Sequence, residues 1–240
     1  MKYHKVKTLT KNIILIDGIA RSGKLVTGAL VSSFKNSEHL EFGLNFEYFC
    51  PAIEFNKTDL NYANAFITTH LNNLIYNKYL SRNVNFRPND RTGVPNSINM
   101  NTYKRRLHAK EGNAIIDLIL KEKKQIPFIT HNILVTINAL NKLDFNYKMI
   151  EIFRNPFSLV MSWHKRGLGE RFGKDKRMFT LLIKKKNKIF PWYDQISNSN
   201  FKTYNKLEKC ANYVYFLNKK SIENFKNIKN KDKKKNIYYV

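Results

Sequence analysis

The sequence predicts an α/β fold: three layers, in which a central, mostly parallel sheet carries helices on both faces. Three observations predict it. A short apolar run at residues 13–16 breaks into a glycine-containing loop and then into a helical pattern. Further apolar runs, at 126–130 and 148–153, alternate with helical stretches, which is the order of parallel βαβ units. With 240 residues there is ample chain for one sizeable core, so a single domain over 1–240 is expected.

Residues 13–16 read as a buried strand because the run is short, β-rich and followed by Gly18. Leu25, Val26, Ala29, Leu30, Ser33 and Phe34 recur at helical spacing and predict a helix over 22–34. The tract 37–101 is aromatic-rich, with a helical candidate at 61–80 and turn chemistry at 87–93, R-P-N-D-R-T-G. A helix is expected over 109–124, with Ile115, Ile116, Leu118, Ile119 and Leu120 buried, then a strand over 126–130 and a short helix over 133–141. After the strand at 148–153, Pro156 suits the first turn of a helix over 157–165, where a missing N–H costs nothing. A long helix over 204–226 is expected to turn Leu207, Ala211, Val214, Leu217 and Ile222 inward, and 237–240 reads as a strand.

Composition excludes several classes. No run of apolar residues is long enough to span a membrane, and residues 1–11 lack the apolar stretch of a secretory signal. Cys50 and Cys210 are too few for a disulfide framework and show no metal spacing, so a reduced, cytoplasmic protein is expected. The formal charge of +25 points to an anionic partner. Two clusters hold much of it, at 174–188 and 226–235, and the second reads as a solvated loop between a helix and a strand.

The 13–24 segment, I-I-L-I-D-G-I-A-R-S-G-K, joins strand, tight loop and helix start, an arrangement that brings backbone N–H groups and a positive helix end to one point. Gly18 to Lys24 matches the pattern G-x-x-x-x-G-K of nucleotide triphosphatase phosphate loops. The Ser or Thr that would hold Mg²⁺ is replaced by Leu25, which favours a metal-free phosphate loop. Downstream, M-I-E-I-F-R-N-P-F-S-L-V-M-S-W-H-K-R places Arg154 at a strand end and Ser162 eight residues later, two helical turns along the next element. A guanidinium offers a permanent planar fork to phosphate, and a hydroxyl adds a neutral donor.

This second motif resembles the 3′-phosphate signature of sulfotransferases that use 3′-phosphoadenylyl sulfate (PAPS). The resemblance implies a P-loop NTPase-like fold in which Arg154 and Ser162 clamp the 3′-phosphate. The family's P-K-S-G-T loop becomes A-R-S-G-K here, so the resemblance assigns the 5′-phosphosulfate to Arg21, Ser22, Gly23 and Lys24. Arg21 would stabilise the leaving phosphate electrostatically, and Lys24 in place of Thr is a departure. F-I-T-H-N-I-L is similar to the family's K-T-H segment, which makes His131 the general base, with Ile129 where the family has Lys. Glu41, Glu47 and Glu54 are alternative bases, since other branches of the family use a carboxylate.

The expected function is transfer of a sulfuryl group from PAPS, without metal, to a hydroxyl or amine acceptor on a small molecule or a glycan. No nucleic-acid partner and no membrane span are expected. The family's last basic loop and final helix are not evident after residue 240, and Lys165, Arg166, Arg171 and Lys174 are candidate substitutes for that loop. Two alternatives stay open: a P-loop kinase or triphosphatase, and a non-catalytic polyanion-binding protein using the Lys clusters.

Overall fold

The computed structural model describes residues 2–172, 174–185, 187–197, 204–228 and 234–240. In chain order these form β1 (Ile13–Asp17), α1 (Lys24–Ser32), β2 (Glu41–Phe42), α2 (Leu44–Glu54), α3 (Leu60–Tyr79), α4 (Met100–Arg106) and α5 (Asn113–Glu122). Then come β3 (Ile126–Ile129), α6 (Ile137–Lys142), β4 (Tyr147–Glu151), α7 (Pro156–Lys165), β5 (Leu182–Lys185), β6 (Lys188–Pro191), α8 (Asp194–Ser197), α9 (Lys206–Lys226) and β7 (Ile237–Tyr239). The Lys cluster at 226–235 lies partly outside the described residues.

An α/β architecture results, with a central parallel sheet in the order β2-β3-β1-β4-β7 and helices against it. β1 is central and buried along its whole length, as its unbroken apolar run requires. Its side chains alternate between two cores. Ile13 and Leu15 pack with residues of α2, α3, α5 and α6, whereas Ile14 and Ile16 pack with Val31 of α1 and Ile129. β5 and β6 form a separate antiparallel hairpin.

Several helix faces differ from the expectation. α1 turns Lys24, Gly28, Val31 and Ser32 inward and leaves Val26, Leu30 and Phe34 exposed. The reason is close approach: a Cβ on Gly28 would lie 2.6 Å from Cδ1 of Ile129, so the small-residue side faces the sheet. On α5 only Ile115 and Ile119 are buried, while Leu118 and Leu120 are exposed and Ile116 is half-buried. This helix packs one stripe against α3 rather than lying between layers. On α9, Leu207, Ala211 and Ile222 face outward. The inner face is Cys210, Tyr213, Val214, Leu217, Ser221 and Asn224, because polar members find partners there: Tyr213 Oη donates to Asp194 and Asn224 Nδ2 donates to the Leu134 and Val135 carbonyls. The stretch 133–141 divides into a 3₁₀ turn (Leu134–Thr136) and α6.

The chain between α1 and β3 is anchored by one buried ion network. Glu38, 1% exposed, receives Nη1 and Nη2 of Arg106, each at 2.9 Å, with Tyr103 Oη donating to it and Lys124 Nζ at 3.4 Å. Burial alone would raise the Glu38 pKa, but the Arg106 fork, Lys124 and Tyr103 outweigh it and hold the carboxyl at about 2. A folded-state pKa below the unfolded value contributes stability that is full above about pH 4.3 and is lost as pH falls towards 2. Glu38→Gln leaves Arg106 buried without its partner and is expected to destabilise by about 3–5 kcal/mol. Denaturant melts should also show a flattened acid limb between pH 4.3 and 2 relative to the unsubstituted protein.

Candidate functional site

The parallel register places three strand ends side by side. Asp17 of β1 faces Glu151 of β4, and Ile16 faces Ile129 of β3, so the 18–24 loop, His131 and Arg154 all leave the sheet at its carboxyl edge. Ligands of open α/β sheets bind at such an edge. A buried carboxylate locks the strand ends together: Asp17 accepts from Thr130 Oγ1 and from the Leu134 N–H, both at 2.9 Å. Beside it, burial and the Asp17 carboxylate push the Glu151 pKa well above the carboxyl range, so Glu151 keeps its proton. β4 thus ends in a carboxyl group that is buried and kept protonated.

The 18–24 loop is shaped by its glycines and by strain. Gly18, at φ 136°, passes so close to β4 that a Cβ would sit 2.6 Å from the Ile152 carbonyl. Gly23, at φ 114°, caps α1, and nothing lies within 4 Å of where its Cβ would be, leaving an open cradle over the helix start. Arg21 adopts φ 75°, a left-handed conformation that a non-glycine residue holds at a cost. The first turn of α1 has no acidic residue and no side-chain cap; its Val26 N–H reaches the Gly23 carbonyl at 3.0 Å, while the Lys24 and Leu25 N–H groups precede the first intrahelical bond.

Arg154 and Ser162 come to this loop. Nη1 of Arg154 donates to the Arg21 carbonyl at 2.9 Å, and Nε of Arg21 donates to Ser162 Oγ at 3.3 Å. Trp163, a core residue, donates Nε1 to the Ala20 carbonyl at 2.8 Å and pins α7 under the loop. Partial burial, then the neighbouring guanidiniums of Arg166, Arg91 and Arg154, lowers the Arg21 pKa. Among the described residues none of these four arginines is in an ion pair, whereas Arg82, Arg106, Arg171 and Arg177 all are. A cluster of guanidiniums in no ion pair, with Arg21 beside an open helix start, is able to hold an anion. Sequence reasoning missed Arg91, which sits in the 87–93 turn far along the chain, and singled out Arg166 only as one of several substitutes.

Lys24 departs from its expected role. It is buried, and its Nζ donates back to the Gly18 and Ile19 carbonyls at 2.5 and 2.9 Å. Burial lowers its pKa to about 8, against the opposing pull of Asp17, Glu47 and Glu151. It braces the loop from beneath instead of facing a ligand. Ser22 is likewise buried, and its hydroxyl makes no hydrogen bond among the described residues.

His131 and Glu47 form a pair the sequence did not join. Nδ1 of His131 lies 3.0 Å from Oε1 of Glu47, which α2 carries directly after β2. With Nδ1–H donated to the carboxylate, Nε2 is left as the accepting nitrogen of the ring. Glu41 is instead paired with Lys78, and Glu54 ends α2. Arg171 is held by Asp175, which leaves Arg166 as the member of its cluster that faces Arg21.

In comparisons with known proteins, the chain matches no family model, no curated protein and no solved structure.

Lys24→Met removes two donors from buried carbonyls and is expected to cost about 1–3 kcal/mol, while Arg154→Ala changes stability little. Because the folded state holds the Lys24 proton less tightly than the unfolded chain, the gap to Lys24→Met should widen as pH rises from 8 to 10. Chemical denaturation of both variants across that range measures it.

Proposed function

We propose that the chain is a PAPS-dependent sulfotransferase built on a P-loop NTPase-like three-layer fold. The observation that carries this reading is the meeting of the 18–24 loop, Arg154 and Ser162 at one point, although residues 21 and 162 are far apart in sequence. A ligand with phosphates on both sides of a ribose suits four unpaired guanidiniums and an open helix start. The residues present therefore fit the donor. Leu25 offers no oxygen to Mg²⁺, and Glu151 is buried and protonated, so the donor set favours this reading over a kinase or triphosphatase.

When bound, the donor supplies an activated sulfuryl group whose bond to the 5′-phosphate breaks as an acceptor oxygen or nitrogen bonds to sulfur. Arg21 and the N–H groups of the first turn of α1 hold the 5′ side and stabilise the charge left on the departing phosphate. Arg154 and Ser162 hold the 3′-phosphate, with Arg91 and Arg166 adding to the field. His131 takes the acceptor proton on Nε2 while Glu47 fixes the ring. Lys24 contributes rigidity.

Adenosine 3′,5′-bisphosphate at about a hundredfold above its Kd is expected to stabilise the protein by about 2.7 kcal/mol, read as a rise in Tm. Arg154→Ala should abolish that rise. Stabilisation by ATP with Mg²⁺ alone would end this reading, and indifference to Arg154→Ala with steep salt sensitivity would favour polyanion binding. In transfer assays with labelled donor and mixed hydroxyl acceptors, His131→Ala should lower turnover about 10²–10⁴-fold with the bisphosphate-induced Tm shift unchanged.

A further inference from the structure

Beside the transfer site, on the outer side of edge strand β2, lies a cavity of about 320 Å³. Its walls include His39, Glu41, Phe42, Lys78, Asn83 and Thr92. Neither His131 nor Glu47 lines it, but backbone pairing links its wall to the strand that leads to the proposed base. Glu41 and Phe42 are the register partners of Phe128 and Ile129 on β3, and the Gly43 N–H donates to the Ile129 carbonyl at 2.8 Å. His131 follows two residues after Ile129, and its partner Glu47 lies one turn beyond Gly43. Neighbouring strands are about 4.8 Å apart, so the cavity wall on β2 flanks the strand that leads to the imidazole. The same 87–93 turn that sends Arg91 towards Arg21 supplies Thr92 to the cavity wall.

The chemistry of the wall differs from the rest of this basic chain. Lys78, 2% exposed, is neutralised by Glu41 at 2.7 Å. His39 Nε2 lies 2.8 Å from the Thr92 carbonyl, an acceptor, so the proton sits on Nε2 and Nδ1 carries a lone pair. Burial, ahead of the other influences, lowers the His39 pKa and keeps the ring neutral. That Nδ1 is buried, has no hydrogen-bond partner among the described residues and is closed to a ligand in the cavity. The Asn83 amide makes no hydrogen bond among the described residues, and Phe42 presents a ring that is 46% exposed. A neutral wall thus offers the Glu41 carboxylate as an acceptor, an amide with both functions, and an aromatic face. Its volume is at the small end for ligand pockets, enough for one ring-sized ligand.

We propose that this cavity is the acceptor subsite and that it takes a neutral, polyhydroxylated ring, a monosaccharide unit, with Phe42 under the ring, Glu41 accepting hydrogen bonds from its hydroxyls and the Asn83 amide meeting them from the rim. The proposal rests on the sulfotransferase reading for the word acceptor; the saccharide site itself is tested without it. Saturation-transfer NMR with N-acetylglucosamine, galactose and glucuronic acid at millimolar concentration is the experiment, run with and without adenosine 3′,5′-bisphosphate. Saturation of a neutral sugar is expected, falling at least fivefold in Phe42→Ala and in Asn83→Gly, a change that removes the amide yet suits the positive φ of that residue. Each variant should keep the bisphosphate-induced Tm shift of the unsubstituted protein. No saturation of any sugar, saturation of glucuronic acid alone, or signals that both variants leave unchanged would overturn the proposal. Sugar binding without any bisphosphate effect would retain the saccharide site and overturn its assignment as an acceptor subsite, whereas a bisphosphate effect without sugar binding would sink this inference and spare the donor reading.

Discussion

The parallel pairing of β1 with β3 and β4, locked at its carboxyl end by Asp17, is the constraint on which the rest depends. One buried carboxylate receives the Thr130 hydroxyl and the Leu134 N–H and lies against protonated Glu151. These contacts set the mutual height of three strand ends. The 18–24 loop, His131 and Arg154 leave the sheet within a few residues of those ends. A one-residue slip in either pairing would turn core residues outward and part the loop from Arg154.

The arrangement has an energetic asymmetry. Elsewhere, buried cations are matched: Arg106 and Lys124 meet Glu38, and Lys78 meets Glu41. The guanidiniums around Arg21 are exposed and in no ion pair among the described residues, and the neighbouring arginines lower the Arg21 pKa. Repulsion of this kind is a cost to the folded state that a bound polyanion offsets. The strained φ of Arg21 and the left-handed Gly23 belong to the same region, so local strain and unpaired charge coincide. The matched pair at Lys78 and Glu41 stands two strands away from β1, which gives the sheet a cationic half and a neutral half.

Much of the scaffold was legible because it follows from periodicity. β1, β3, β4, α3, α7 and α9 lie within a few residues of where their apolar patterns put them. What failed was the phase of helices whose buried faces carry small or polar residues. α1 approaches the sheet through Gly28, and α9 buries Asn224 and Tyr213 with partners from other elements. α2 escaped notice because Pro51 interrupts its hydrogen bonding.

By itself the sequence determined the local chemistry: a strand that breaks at Gly18, a fixed guanidinium at a strand end, and a hydroxyl two helical turns beyond. Local steric rules and side-chain type suffice for those. Only the tertiary structure decided which charges face one another. It folded Lys24 under its own loop, drew in Arg91 and Arg166, and paired His131 with Glu47. These are contacts between residues far apart in sequence or hidden from solvent by packing. Their partners are chosen by strand order and burial, which no short stretch of sequence encodes.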